Sequence, residues 1–251
     1  MASAPARLPL TRAADEFVLT TVLLFLAVTV VRWLRHPASP LFIPNLCVAL
    51  AVVGVLSGAI LTGLIFTPPG RRSGGHMNPA VTVTVWLVGV FPGRSVLPYV
   101  VAQLAGSVAG TALARLAWGP AVTHPLVDFA AIRRAPNWDS WSVFVTELGT
   151  MAVLIVIVGL LLGRRRYARL LPFVIGLYIA LTITFLGPRS GGSINPARQL
   201  GPAALAGATT DLWIYLVAPM LGAVLGAAVN QLLFKEFHTP RPIGYKMFND
   251  S

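Results

Sequence analysis

The sequence has few charged residues for its length. Asp, Glu, Lys and Arg make up 11% of the 251 residues, whereas hydrophobic residues make up 56%. Ordinary soluble domains carry roughly 25% charged residues. The composition therefore excludes a water-soluble fold and indicates a chain that lies in a lipid bilayer.

Cysteine is nearly absent as well, and this limits the possible chemistry. The one cysteine, Cys47, cannot form an internal disulfide, and no Cys/His cluster has the spacing of a metal site. No nucleophile, base and orienting group recur together, so nothing indicates an enzyme or a cofactor. We expect Cys47 to be a small buried apolar residue.

Six apolar runs come close to the length that crosses a hydrocarbon core of ~30 Å, which takes about 20 helical residues. They are Phe17–Leu34, Leu41–Thr67, Ser95–Ala114, Trp141–Leu162, Leu170–Leu186 and Leu212–Phe234. The first has no small-residue cleavage site, so it indicates a span and not a signal peptide. The polar connection Gly119–Asp139 separates one repeat, about 15–118, from another, about 140–234. We expect a single membrane domain over 1–251 with flexible tails at 1–13 and 238–251.

The motif Ser-Gly-Gly-X-X-Asn-Pro-Ala occurs once in each half. The first copy ends in Asn78, Pro79 and Ala80, and the second ends in Asn195, Pro196 and Ala197, with Arg198 directly after it. Asn is a favoured N-cap, and Pro is tolerated at the first helical position. Each motif therefore predicts the start of a helix behind a glycine-rich turn.

Both helix starts open apolar segments that are only half as long as a span. These segments are Val81–Val90 and Asn195–Ala206. Each half then has three full spans, and because three is odd, the second half must have the opposite orientation in the membrane. The sequence predicts an all-α membrane protein with six transmembrane helices, two re-entrant half-helices and an inverted repeat.

The formal net charge of +11 is explained better by membrane topology than by nucleic acid. The Lys and Arg residues lie in short connections between apolar runs and form no basic stripe with interleaved aromatic residues. Cytoplasmic connections are enriched in Lys and Arg. If both termini are cytoplasmic, most of the Lys and Arg residues lie in cytoplasmic segments. We therefore predict a protein of the cell membrane with both termini in the cytoplasm.

The two glycine-rich turns predict a water-accessible path. Non-helical backbone at membrane depth is tolerated only where it is buried in protein or lines a wet cavity. Inverted symmetry brings the two half-helix N-termini together near the midplane, where their partial positive charges disfavour cations. We expect Asn78 and Asn195 to cap their own helices and to present amide N–H donors to passing molecules. Carbonyls of the turns, including those of Gly75 and Gly191, would line the path as acceptors.

Two buried carboxylates and two loop residues accompany these turns. Glu16 and Glu147 lie near the starts of corresponding spans, where they either relay protons or accept backbone hydrogen bonds and fix their loops. No chain of His or Asp connects them, which favours loop support. His76 is either a pH switch or a hydrogen-bonded structural residue. We expect His76 and Ser193 to contribute carbonyls or support to the two loops.

Arg198 lies one turn into the second half-helix, where the first half has Val81. A charged side chain that faces lipid is costly. Arg198 therefore either lines the path or pairs with a buried carboxylate, and we favour the first.

These features resemble the aquaporin family, the major intrinsic proteins, over nearly the whole chain from Glu16 to about Phe234. Beyond the paired motifs, the resemblance includes Tyr99–Gln103 followed by Gly106, Pro172–Leu177, and Gly201–Ala203. It implies six tilted helices and two half-helices around one pore per subunit. It also implies a homotetramer with four independent pores.

The resemblance further implies a four-residue selectivity filter. Three of its positions fall on Ile183, Gly192 and Arg198, and the fourth falls on Val53, or on Gly58 if the alignment has no gap. The strict water channels of the family that it resembles have Phe, His, a small residue and Arg at these four positions. This chain lacks the Phe and the His. Glycerol facilitators have aromatic residues in the filter and an Asp after the Arg, where this chain has Gln199.

The sequence therefore predicts a passive channel for water and small neutral solutes that excludes ions and protons. Aliphatic side chains in place of the aromatic residue and the His would leave a wider and less polar constriction. Two alternatives stay open. One is a glycerol, urea or ammonia facilitator with little preference for water, and the other is a proton-coupled small-solute transporter, motivated by Glu16 and Glu147.

Overall fold

A computed structural model describes residues 10–162 and 165–233 of the protein. Within these residues the chain forms helices and no β-strand, which confirms the predicted fold class. The α-helices are α1 (Leu10–Arg35), α2 (Leu46–Phe66), α3 (Pro68–Ser73), α4 (Pro79–Leu87), α5 (Val96–Trp118), α6 (Ser140–Leu162), α7 (Arg165–Ala168), α8 (Leu171–Leu186), α9 (Pro196–Ala206) and α10 (Leu212–Leu233). Short 3₁₀ turns lie at Gly93–Ser95, Gly119–Thr123 and Asp128–Ala130.

Five of the described helical segments are long and apolar enough to cross a membrane by length and composition. They are Leu10–Arg35, Leu46–Phe66, Gly93–Thr123, Ser140–Leu162 and Leu212–Leu233. The remaining predicted span, Leu170–Leu186, corresponds to α8, which has 16 residues. At 1.5 Å per residue it is about 24 Å long, somewhat shorter than a full crossing.

The start of the first span was predicted too late. Helix α1 begins at Leu10, so residues 10–13 are helical and do not belong to a flexible tail, and Ala13 is buried. The charged residues Asp15 and Glu16 hid the start of this helix in the sequence, because the apolar run begins only after them. In the structure Asp15 pairs with Arg72 at 2.7 Å, and Glu16 is fully buried. The rest of the predicted tails, residues 1–9 and 238–251, and the predicted end of the sixth span at Phe234 lie outside the described residues.

Glycines let the long helices of each half approach closely. In the first half Gly106 and Gly110 of α5 face α1, and in the second half Gly222 and Gly226 of α10 face α6. A methyl group on any of these four residues would come within 2.6 Å of a carbonyl oxygen of the facing helix. The two halves therefore use the same small-residue packing, as expected for helices in a bilayer.

Helices α2 and α8 connect the two halves through a similar contact. A Cβ atom on Gly58 would lie 2.2 Å from the carbonyl oxygen of Gly176, and one on Gly54 would lie 2.5 Å from that of Ala180. Both glycines thus lie where the two helices cross, with no room for a side chain.

We expect Gly58→Ala to destabilise the protein because its methyl group would collide with the backbone of α8. Overpacking of this kind costs typically about 1–3 kcal/mol. The matched control is Gly63→Ala in the same helix, where nothing lies within 4 Å of the added atom and alanine is favoured by roughly 0.5–1 kcal/mol. Thermal unfolding of the purified variants in detergent measures both effects, and equal melting temperatures would contradict this description of the crossing.

The expectation for Cys47 is wrong. Cys47 is exposed in the first turn of α2, where Leu46 and Val48 are also exposed. The expectation followed the rule for soluble proteins, in which an apolar side chain faces the core. In a membrane protein the outer surfaces of the helices are apolar as well.

Candidate functional site

The first re-entrant loop, residues 73–78, is held by Glu16 of α1. The Oε1 atom accepts hydrogen bonds from Ser73 Oγ at 2.7 Å and from the His76 N–H at 2.9 Å. The Oε2 atom accepts from the Met77 N–H at 2.7 Å and from Gln103 Nε2 at 2.8 Å. Four donors thus satisfy a carboxylate that is fully buried.

The second re-entrant loop, residues 190–195, is held in the same way by Glu147 of α6. Ser190 Oγ donates to Oε1 at 2.9 Å, the Ser193 N–H donates to Oε1 at 3.2 Å, and the Ile194 N–H donates to Oε2 at 2.7 Å. Among the described residues, no donor to either glutamate is itself an acid or a histidine side chain. These hydrogen bonds join each glutamate to the loop of its own half, as a loop-supporting role requires.

The two loops have the same backbone conformation. Gly74 and Gly191 both have φ of 96°, and Gly75 and Gly192 have φ of 59° and 60°. These values lie in the left-handed region, which glycine adopts at little cost. The conformational repeat follows the sequence repeat, residue by residue.

Asn78 and Asn195 cap the half-helices α4 and α9 as predicted from their type and position. The side-chain Oδ1 of Asn78 accepts from the Ala80 N–H at 2.9 Å, and that of Asn195 accepts from the Ala197 N–H at 2.9 Å. Both asparagines have extended backbone, with φ of −155° and −148°. Each half-helix thus begins with a satisfied N–H group near the other half-helix.

The amide nitrogens of these asparagines join the two loops to each other. Asn78 Nδ2 donates to the carbonyl oxygen of Ile194 at 3.0 Å, and Asn195 Nδ2 donates to that of Met77 at 2.9 Å. We expected both amides to present N–H donors to passing molecules, and one N–H group of each is instead used between the loops. An amide nitrogen has two N–H groups, so one on each asparagine is left outside these bonds.

His76 is a buried residue in a polar and aromatic cluster. Its Nδ1 lies 3.0 Å from Thr82 Oγ1, and its ring centroid lies 4.9 Å from that of Phe91 and 5.3 Å from that of Tyr99. Only 4% of its surface is exposed. These contacts are typical of a hydrogen-bonded structural residue, the second of the two interpretations from the sequence.

Arg198 is held by oxygen atoms that carry no charge. Its Nη1 donates to the carbonyl oxygen of Ala130 at 2.8 Å and to Gln199 Oε1 at 3.3 Å. Within residues 10–162 and 165–233, the ion pairs join Arg72 to Asp15, Arg133 to Asp128 and Arg134 to Asp211, and none includes Arg198. Pairing with a buried carboxylate, the second interpretation from the sequence, is therefore not observed.

The remaining filter candidates differ in what surrounds them. Val53 is buried with 6% exposure, and Ile183 is partly buried. A Cβ atom on Gly192 would lie 2.8 Å from the carbonyl oxygen of Thr182, so this position has no space for a larger residue without a shift of α8. A Cβ atom on Gly58 would lie 2.2 Å from the Gly176 carbonyl oxygen of α8, so this position has no room for a side chain.

Comparison with known proteins agrees with this arrangement of loops. The sequence profile described as "Major intrinsic protein" matches residues 7–230. The chain belongs to the major intrinsic protein family. Members of this family are passive channels and not enzymes, and the described helices are those of a membrane protein.

Two relatives and one solved structure illustrate how far this major intrinsic protein resembles others. The chain is 36% identical over 191 residues to the aquaporin AqpM of Methanothermobacter marburgensis, covering 73% of this chain and 77% of the relative. It is 35% identical over 234 residues to the aquaporin NIP3-1 of Oryza sativa subsp. japonica, covering 90% and 70%. The X-ray structure of the aquaglyceroporin from Plasmodium falciparum shares its fold, with a TM-score of 0.71, 21% identity and coverage of 91% and 99%.

Sequence reasoning missed several residues that complete the site of this major intrinsic protein. The Tyr99 hydroxyl donates to the Ser73 carbonyl at 2.9 Å, and the Tyr215 hydroxyl donates to the Ser190 carbonyl at 2.6 Å. The separations along the chain are 26 and 25 residues, so an alignment of the two halves could have paired the tyrosines. No signal in the sequence pointed to Ala130, because its role depends on a contact across the fold.

We expect Glu147→Ala to destabilise this major intrinsic protein by about 3 kcal/mol or more. The substitution leaves two backbone N–H groups and one hydroxyl buried without an acceptor, and each costs roughly 1–3 kcal/mol. Glu147→Gln, which keeps one acceptor oxygen, is the matched variant and should lose less. Melting temperature and yield in detergent report the difference, and an alanine variant as stable as the wild type would exclude loop support.

Proposed function

We propose that the protein is a channel that conducts water and small neutral solutes and excludes ions and protons. The observation that carries this proposal is the pair of asparagine amides at the facing N-termini of α4 and α9. Each amide keeps one N–H group outside the bonds between the loops, and a water molecule can accept a hydrogen bond from it. The residues assigned to the pore centre are Asn78, Pro79, Ala80, Asn195, Pro196 and Ala197.

Exclusion of cations is attributed to two sources of positive charge. The N-termini of α4 and α9 each contribute a partial positive charge of roughly half a unit at the place where they meet. Arg198 adds a full charge one turn into α9, held by carbonyl and amide oxygens that do not neutralise it. A desolvated cation on this path therefore meets repulsion from three directions.

The composition of the filter supports passage of neutral solutes in addition to water. We assign the filter to Val53, Ile183, Gly192 and Arg198. Two aliphatic side chains and one glycine present few polar groups and little bulk, and selectivity by size falls as a constriction widens. The same observation supports the second candidate, a facilitator of glycerol, urea or ammonia with little preference for water.

Carbonyl groups and supporting residues complete the assignment. We assign pore carbonyls and loop support to Gly75, His76, Gly191, Ser193, Glu16 and Glu147. A proton-coupled transporter is less well supported, because the hydrogen bonds of Glu16 and Glu147 are used by their own loops.

Assembly and orientation form part of the same proposal. We place the protein in the cell membrane as a homotetramer with both termini in the cytoplasm. The excess of Lys and Arg in one set of connections supports the orientation. Large apolar side chains exposed on the long helices, such as Leu97, Val145 and Leu177, supply surface for lipid and for neighbouring subunits.

Permeabilities for water, glycerol, urea and ammonia, measured in the same reconstituted vesicles, test the proposed selectivity. We expect transport of water and of at least one of the other solutes, and no dependence on an imposed pH gradient. Transport of solutes without water above the bare-lipid rate would support the facilitator. Uptake driven by the pH gradient would overturn the channel.

A further inference from the structure

The segment between the two halves is fastened to the second re-entrant loop and to α9. We call residues 119–139 the repeat connection. Its Ala130 carbonyl accepts from Arg198 at 2.8 Å, and its Ala135 N–H donates to the Arg189 carbonyl at 2.9 Å. A Cβ atom on Gly191 would collide with Ile132 at 1.9 Å, so the Ile132 side chain packs directly on the glycine turn. The repeat connection therefore forms part of the wall beside Arg198.

Gln199 clamps this connection through both polar atoms of its amide. Its Oε1 accepts from the Ile132 N–H at 3.0 Å, and its Nε2 donates to the Ile132 carbonyl at 2.8 Å. The side chain is 1% exposed, so water cannot replace these bonds without a rearrangement. The same Oε1 also accepts from Arg198 Nη1 at 3.3 Å.

The clamped segment follows a turn that is unfavourable by itself. Asp128, Phe129 and Ala130 have φ of 44°, 53° and 59°. These are left-handed values, and residues other than glycine rarely adopt them, least of all three in succession. Such a conformation persists only where its surroundings hold it. Here the Asp128–Arg133 pair at 2.7 Å and the burial of Phe129 hold the turn from one side, and Gln199 holds it from the other.

We infer that Gln199 is a positioning residue that keeps the left-handed turn against α9, so that the Ala130 carbonyl fixes the guanidinium of Arg198. This inference rests on the proposed pore. Within the described parts of the chain, the Ala130 carbonyl and Gln199 Oε1 accept from the Arg198 side chain. Gln199 supplies one of these acceptors itself and positions the other through its bonds to Ile132. Without them the guanidinium is free to move away from the wall and into the path of the permeating molecules.

Gln199→Ala tests this role in the full-length protein reconstituted in vesicles. We expect water permeability per protein to fall about threefold or more, because the guanidinium loses the Gln199 acceptor, is no longer fixed on the Ala130 carbonyl and moves into the path. In the Arg198→Val background the same substitution should have no effect, since no guanidinium is left to position. A merely structural role would lower permeability in both backgrounds.

A matched control loosens the same connection at a different place. Arg134→Ala removes the ion pair with Asp211 at 2.8 Å and does not touch Arg198, so we expect wild-type permeability. If Gln199→Ala does not fold, as judged by elution from a sizing column, Gln199→Asn serves instead, because the shorter amide cannot reach both groups of Ile132.

Three results overturn the inference. They are unchanged permeability in a folded Gln199 variant, an equal fall in the Arg198→Val background, and an equal fall in Arg134→Ala. Wild-type vesicles that shrink no faster than bare lipid would overturn the proposed pore, and that result is obtained independently of every variant.

Discussion

Arg198→Val is expected to raise leakage of monovalent cations through the channel about tenfold or more. Two unit charges ~4 Å apart repel each other by about 4 kcal/mol at an effective dielectric constant of about 20. If a third of this repulsion acts on a permeating cation, removing the arginine raises the rate of cation leakage about tenfold. The substitution should leave folding largely intact, because within the described residues the Arg198 side chain donates hydrogen bonds only to Ala130 and Gln199.

Ion leakage and uncharged-solute permeability of reconstituted vesicles measure this effect. Arg189→Val is the matched control, since Arg189 is exposed and donates to the Phe185 carbonyl at 2.8 Å. It removes an equal charge from the chain without changing the constriction, so its selectivity should stay as in the wild type. Unchanged selectivity in Arg198→Val would mean that the arginine does not line the path.

Val53→Phe combined with Ile183→His is expected to narrow the constriction and shift the channel toward water. The two substitutions restore an aromatic ring and a polar ring at positions that are aliphatic in this chain. We expect glycerol permeability to fall about tenfold relative to water, a change of about 1.4 kcal/mol in the barrier. The physical reason is that a solute larger than water must displace these rings, whereas water can bond to the imidazole.

Stopped-flow light scattering with water and glycerol gradients measures this ratio. The control pair Val55→Phe and Leu181→Phe adds bulk to the same two helices at positions that are 62% and 46% exposed. It should leave the ratio unchanged. If both pairs reduce glycerol permeability equally, or neither does, the assignment of Val53 and Ile183 to the filter is wrong.

Local features of this protein followed from the sequence with little error. Asn78 and Asn195 cap their helices because the N-cap preference depends only on adjacent residues, and Pro79 and Pro196 start the helices for the same reason. The inverted repeat followed from the parity of the apolar runs. Burial of Glu16 within its own half also followed, because a charged residue inside a membrane helix needs partners in protein.

Features that depend on contacts across the fold did not follow from the sequence. The left-handed turn that ends at Ala130 contains no glycine, so no residue type in it predicts this conformation. Its contact with Arg198 spans 68 residues. The cross-bonds of Asn78 and Asn195 with the opposite loops were missed for the same reason, since their separations are 116 and 118 residues.

Osmotic shrinkage of vesicles that contain the purified protein, followed by stopped-flow light scattering at several temperatures and with and without a pH gradient, tests the central claim most directly. A passive water-filled path predicts shrinkage much faster than in protein-free vesicles, with a weaker temperature dependence than bare lipid and no effect of the gradient. Shrinkage no faster than that of protein-free vesicles, or transport that appears only with a pH gradient, would contradict the proposed channel.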